Sequence, residues 1–88
     1  MTKFSSTLLA ELAEVNPDAL LADGFEDAII GYTSGFKTIA VYSRNRCLDI
    51  LMRRDGVTFE EADEFFSFNV EGAYVGEFTP IFVETPYF

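Results

Sequence analysis

Residues 60–71 concentrate what little chemistry this chain carries. Glu60, Glu61, Asp63 and Glu64 are near-consecutive carboxylates, and Glu71 comes two helical turns later. A magnesium site or an acid–base pair needs carboxylates that converge from separate elements on a pocket, and acids strung along one helix do not converge. They make a solvated face, and charges spaced along a rigid helix can also imitate a run of phosphates. Glu60, Asp63, Glu64 and Glu71 are therefore the candidate partner-binding residues, and a basic protein surface is the partner that fits them.

A second constellation is cationic. Lys37, Arg44 and Arg46 accompany Tyr42 at a helix start, where free amides and guanidinium groups can hold a phosphate and a ring can stack on a base. Basic residues at a helix N-terminus oppose its dipole, so they call for an anion nearby. The protein's own acidic helix or an external anion could answer that need. Cys47, in the same first turns, could be nucleophilic only as a thiolate, and no base stands by to assist it; a buried small hydrophobe is the plainer reading. The chain has no histidine, which removes Ser-His and Cys-His nucleophile pairs, and a single cysteine makes neither an internal disulfide nor a zinc cluster. No glycine-rich phosphate loop is present either. The expectation is a protein that binds and does not catalyse, with no metal and no cofactor.

The elements that position these residues are set by local signals. Thr58 and Glu61 form a T-x-x-E capping box, so a helix begins at Phe59 and extends to about Val70, with Val57 and Ala62 as a modest staple. Phe59, Ala62, Phe66, Asn69, Val70 and Ala73 keep the three-and-four spacing of a buried stripe, with Phe65 on its flank. An amide at Asn69 on that stripe requires a hydrogen-bond partner, which the backbone of the next segment can supply. Gly72 and Gly76 end the helix, and Thr79 to Glu84 reads as a strand with Pro80 at its start or on an edge. Ser43 caps a helix over Arg44 to Arg54, closed by Asp55-Gly56, with Leu48, Leu51 and Met52 facing inward. Ala28 to Thr33 and Thr38 to Ser43 read as an antiparallel hairpin, although Phe25, Ile29 and Tyr32 also fit a helical stripe. At the start, Ser5 or Ser6 caps a helix to Val15 with Leu8, Leu9 and Leu12 inward; Asn16-Pro17 stops it, and a short helical turn can come next at Asp18 to Ala22.

Eighty-eight residues make one domain, with residues 1–22 an N-terminal helical segment and 23–88 an α+β body. Ten Phe and four Tyr offset the marginal size of such a core, and no apolar run is long enough to cross a bilayer. Glu11 and Glu14 interrupt what a signal peptide would need, which points to a soluble cytoplasmic protein. The net charge of −9 is uneven. Lys37 to Asp55 holds five of the six basic residues against two acids, leaving one Lys against thirteen acids elsewhere. Such a surface repels nucleic acid and anionic membranes and is steered toward basic proteins, while its plainer role is to keep a Phe-rich domain soluble.

Tyr42, Cys47 and Leu48, leading into GVTFEEADEFFSFNVEGAYVGEFTPIF at residues 56–82, resemble short acidic, largely uncharacterised proteins encoded by tailed phages and prophages. The resemblance spans about Ala22 to Val83, with EEA-x-EFF-x-FN, GAYVGE and TP its most specific pieces, and it omits the N-terminal helix. It implies a viral setting and expression in a bacterial cytoplasm. Small acidic phage proteins are often inhibitors of host enzymes or defence systems, acting as nucleic-acid decoys, as direct blockers or as sponges for signalling nucleotides.

The predicted fold is thus α+β: a short antiparallel sheet of three strands covered by amphipathic helices, with Ile39, Leu48, Leu51, Phe59, Ala62, Phe66, Val70 and Ile81 in the core. The leading functional expectation is an inhibitor of a host protein, acting through Glu60, Asp63, Glu64 and Glu71. The alternatives are an oligomeric nucleotide sponge built on Lys37, Tyr42, Arg44 and Arg46, and an interaction protein with no inhibitory role. A homodimer is also expected, since Phe78, Tyr87 and Phe88 add exposed rings and Thr79 to Glu84 offers an edge.

Overall fold

In a computed structural model, which describes residues 2–85, the chain order is α1 (Lys3–Val15), a 3-10 turn (Glu26–Ala28), β1 (Ile29–Tyr32), β2 (Ala40–Ser43), α2 (Arg44–Asp55), α3 (Phe59–Phe66), a π-helical turn (Ser67–Glu71) and β3 (Ile81–Val83). The two caps that frame the functional region form as their spacing predicts. Ser43 Oγ accepts the Arg46 N–H at 3.2 Å to start α2, and Thr58 Oγ1 accepts the Glu61 N–H at 3.2 Å to start α3. Glu61 accepts the Thr58 N–H in return at 2.9 Å, which completes the capping box. Gly56 stops α2 at φ +66°, the left-handed conformation that an L side chain resists, and donates its N–H to the Met52 carbonyl at 3.0 Å.

The sheet has order β1-β2-β3 and is mixed, where a wholly antiparallel one was expected. β1 and β2 pair antiparallel across a hairpin, with an irregularity between Ile29 and Gly31; β2 and β3 pair parallel, Val41 opposite Ile81 and Ser43 opposite Val83. A tight turn cannot join parallel strands, and the connection from β2 to β3 is long enough for them because both remaining helices lie within it. The strands are also shorter than their apolar runs. β1 begins only at Ile29, because Glu26–Ala28 form the 3-10 turn; the alternative of a helix from Glu26 to Tyr32 does not form beyond that turn, since Ile29 to Tyr32 are paired in the strand.

α1 starts earlier than the serines suggested. Thr2 is the cap, accepting the Ser5 N–H at 3.0 Å, and Ser5 itself is buried with its hydroxyl bonded to Thr2. The turn of helix expected at Asp18 to Ala22 does not form. Asn16 Oδ1 accepts the Asp18 N–H at 3.1 Å, and a side chain that captures a nearby amide competes with helix continuation. Asn16 also donates to the Thr38 carbonyl at 2.8 Å, tying the end of α1 to the hairpin. α1 packs on β1 and the 3-10 turn through Leu12, so residues 2–22 belong to the same packed unit as the remainder.

Leu48, Leu51, Ala62 and Phe66 are buried as expected, joined by Leu12, Phe25, Ala28, Ile29, Ala40, Tyr42 and Cys47. Val70 and Ile39 are only partly buried. Two expected core residues face outward: Phe59, 54% exposed, and Ile81, 38% exposed. Phe59 is the first residue of α3, and Val57 just before the cap packs against the core in that region. Ile81 starts an edge strand. In β2 the inward positions are Ala40 and Tyr42, one residue out of phase with Ile39 and Val41, and a shift by one residue exchanges the faces of a strand.

Candidate functional site

Arg44 leaves the first turn of α2 and lies over the Phe66 ring, 5.5 Å from its centroid. Its Nη2 donates to Asp63 Oδ1 at 2.6 Å and to Ser67 Oγ at 3.0 Å, and its Nε reaches Glu71 Oε1 and Oε2 at 3.1 and 3.2 Å. The side chain is 13% exposed. That burial works against its charge, but the bonds to Asp63 and Glu71 outweigh it and hold its pKa above the ordinary arginine value. The acidic helix is therefore the anion that the basic start of α2 requires.

This clamp divides the four expected partner-binding carboxylates. Asp63 and Glu71 are held by Arg44, whereas Glu60 and Glu64 are exposed and carry no ion pair among the described residues. Glu61 between them is turned back onto its own cap. Beside the outward pair stand two rings that the spacing did not assign to a surface. Phe65 is 48% and Phe68 79% exposed, and with Glu61, Glu64 and Asn69 they border a shallow hollow. Phe66 alone of the three goes inward, in edge-to-face contact with Phe25 at 5.7 Å and Phe82 at 5.0 Å. The available signal was the F-F-x-F spacing, since three rings so close on a helix cannot share one narrow stripe.

The π-helical turn explains the position of Asn69. α-helical spacing places it on the buried stripe, but a turn with one extra residue rotates the chain beyond its start, and Asn69 is exposed. Its Nδ2 donates to the Phe65 carbonyl of the preceding turn at 3.1 Å, not to the next segment.

The residues expected to hold an anion do not gather. Tyr42 is fully buried, with its hydroxyl accepting the Ala22 N–H at 3.0 Å and its ring 5.6 Å from that of Phe82, so it offers no face to a base. Lys37 pairs with Glu77 at 3.8 Å. Arg46 borders a different hollow, with Asp27, Asp49 and Arg53. The start of α2 is closed by Ser43, whose hydroxyl bonds that of Thr85, and by Asn45, which donates to the Thr85 carbonyl at 3.1 Å. Cys47 is fully buried, and that burial pushes its thiol up to about 12, the opposite of activation.

Among the described residues no group of His, Cys, Asp and Glu side chains is arranged to hold a metal, no helix is long and apolar enough to cross a membrane, and no buried polar side-chain atom lacks a partner. Of the rings expected to favour a dimer, Phe78 is half-buried and Tyr87 and Phe88 lie outside the described residues; β3 is an edge strand. Comparison with protein-family models, with curated proteins and with solved structures gave no match.

Proposed function

We propose that this chain is a binding protein, an inhibitor that docks the outward side of α3 on a basic surface of a host protein in a bacterial cytoplasm. The observation that carries the reading is the juxtaposition of Glu60 and Glu64, exposed and without an ion pair among the described residues, with the exposed Phe65 and Phe68. Carboxylates on a chain of net charge −9 steer a cationic surface into encounter, and large rings supply the desolvated contact that holds it. The rings have no counterpart in a ladder of phosphates, so the face suits direct blocking better than imitation of nucleic acid. Asp63 and Glu71 contribute to the surrounding field, while Arg44 fixes their geometry from within.

The test compares two charge reversals of equal size. Immobilised protein is used to capture partners from bacterial cytosol at low ionic strength, beside Glu60→Lys/Glu64→Lys and, as a control elsewhere on the surface, Glu14→Lys/Asp18→Lys. The expected result is a basic protein retained by the wild type and by the control, released as salt rises, and lost with the α3 reversal. Equal loss in both variants would show that net charge alone is responsible, and retention by all three in high salt would sink the proposal.

A further inference from the structure

The hollow bordered by Phe65 and Phe68 does not stand alone. Asn69 borders it on one side and, on the other, a second hollow of about 160 Å³. That second hollow is walled mainly by Leu21, Val70, Ala73, Val75, Pro80 and Phe82. Leu21 is 47% and Val75 64% exposed, so apolar surface lies open along its rim. Its size is comparable to a cavity of roughly 150 Å³ that accepts a benzene molecule. It therefore has room for one branched aliphatic side chain. The first hollow is bounded by Glu61 and Glu64, and the two together offer a carboxylate end and an apolar end joined at one amide.

We propose that these two hollows form one docking groove for a cationic amphipathic segment of a partner protein: its Lys or Arg side chains lie along Glu64, at the edge of the first hollow, and Glu60, one turn before it outside the hollow, and one Leu-sized side chain enters the hollow beyond Asn69. The inference rests on the binding reading above and names the class of partner. Charge complementarity selects the occupant. A second copy of this acidic chain would bring carboxylates against carboxylates, and a nucleic acid would meet the same repulsion with no side chain to fill the apolar end. Asn69 fits the junction, because its Nδ2 is bonded to the Phe65 carbonyl and its Oδ1 remains able to accept a hydrogen from the segment.

Three synthetic helical peptides serve as probes: a Lys/Leu amphipathic peptide, a Lys/Ala peptide of equal charge, and a Glu/Leu peptide. Each is titrated into the full chain with amide resonances observed by NMR. The Lys/Leu peptide is expected to shift Glu60, Glu64, Val70, Ala73 and Val75 together and to bind about tenfold more tightly than Lys/Ala, the scale of one partly buried Leu side chain. Glu/Leu should not bind. Ala73 is exposed on the rim, so Ala73→Trp blocks the hollow without disturbing the core, and it should bring Lys/Leu down to the affinity of Lys/Ala. Equal binding of the two cationic peptides, both lost in Glu60→Lys/Glu64→Lys, would overturn the groove and leave the acidic-face reading intact. Binding that Ala73→Trp weakens but the charge reversal does not would overturn that reading instead. Failure of every peptide to bind overturns both.

Discussion

The inner edge of α3 and its π-helical continuation, where Asp63 and Glu71 meet Arg44, and the outer edge, where Glu60 and Glu64 stand beside Phe65 and Phe68, carry the same residue types under opposite constraints. On the inner edge each part has a partner: Arg44 joins the carboxylates to the start of α2 and covers the Phe66 ring, itself packed on Phe25 and Phe82. On the outer edge neither carboxylate has an ion-pair partner among the described residues, and only Glu60, in the first turn, gains from the positive end of the helix dipole. Two carboxylates one turn apart repel one another by a few tenths of a kcal/mol, and the Phe68 ring with about half of the Phe65 side chain is left in water. An arrangement that stabilises the fold and one that adds little to it lie side by side on α3 and the π-helical turn that continues it, and the second is the one that a partner would complete.

Breaking the inner edge should have the largest effect. Phe66→Ala removes a fully buried ring and is expected to cost about 3–5 kcal/mol, read from urea unfolding, whereas Phe68→Ala on the outer edge should stay within about 0.5 kcal/mol. Similar costs for the two would erase the distinction. Next is Arg44→Met, which leaves Asp63 and Glu71 without their cation. Charge-assisted bonds on partly exposed carboxylates set the expected loss at about 1–2 kcal/mol, and a double-mutant cycle with Asp63→Asn should show that most of it is coupling to that residue. Glu64→Gln should instead be neutral or slightly stabilising, since it relieves a like-charge neighbour one turn away, whereas Glu60→Gln also gives up a first-turn carboxylate's attraction to the helix dipole, so its two effects should offset to within about 0.5 kcal/mol. A clear loss of stability in either would reveal a structural role for the outer carboxylates and weaken the case for a docking face.

Much of this frame was legible in the residues, and the exceptions share a cause. Ser43, Gly56, Thr58 and Glu61 act locally, through bonds within a few positions, so their spacing sufficed to place both helix starts and the end of α2. The answer to Arg44 was also readable, as a charge requirement that the acidic helix could meet. Three features depended on contacts distant in sequence. The face of β2 was ambiguous because Ile39 and Val41 are as apolar as Ala40 and Tyr42, and only docking against the 19–22 segment and β3 decides that Tyr42 goes inside. The direction of β3 depends on a crossover that no local pattern encodes. The π-helical turn, which moves Asn69 outward, left no signature in the apolar spacing, and with it went the groove.

The smallest expected effect separates Glu61 from the carboxylates on either side of it. Glu61 is exposed, yet its bonds to Thr58 hold its pKa below the ordinary glutamate value. A carboxylate whose pKa is depressed by folding contributes stability above its unfolded-state pKa, about 4.3, and loses it as pH falls through the lower folded-state value. The stability gap between wild type and Glu61→Ala should therefore be constant near neutral pH and close in the acid range, while Thr58→Ala, which removes a cap worth about 1 kcal/mol, should keep part of its cost when every carboxylate is protonated, because the lost hydroxyl bond to the Glu61 N–H does not titrate. The comparison must be made between variants at each pH. A chain of net charge −9 also changes its overall self-repulsion as acid is added, and that change is nearly common to all of them. If the Glu61→Ala gap persists unchanged into acid, the carboxylate bond to Thr58 N–H contributes nothing to α3, and the start of the helix rests on the threonine alone.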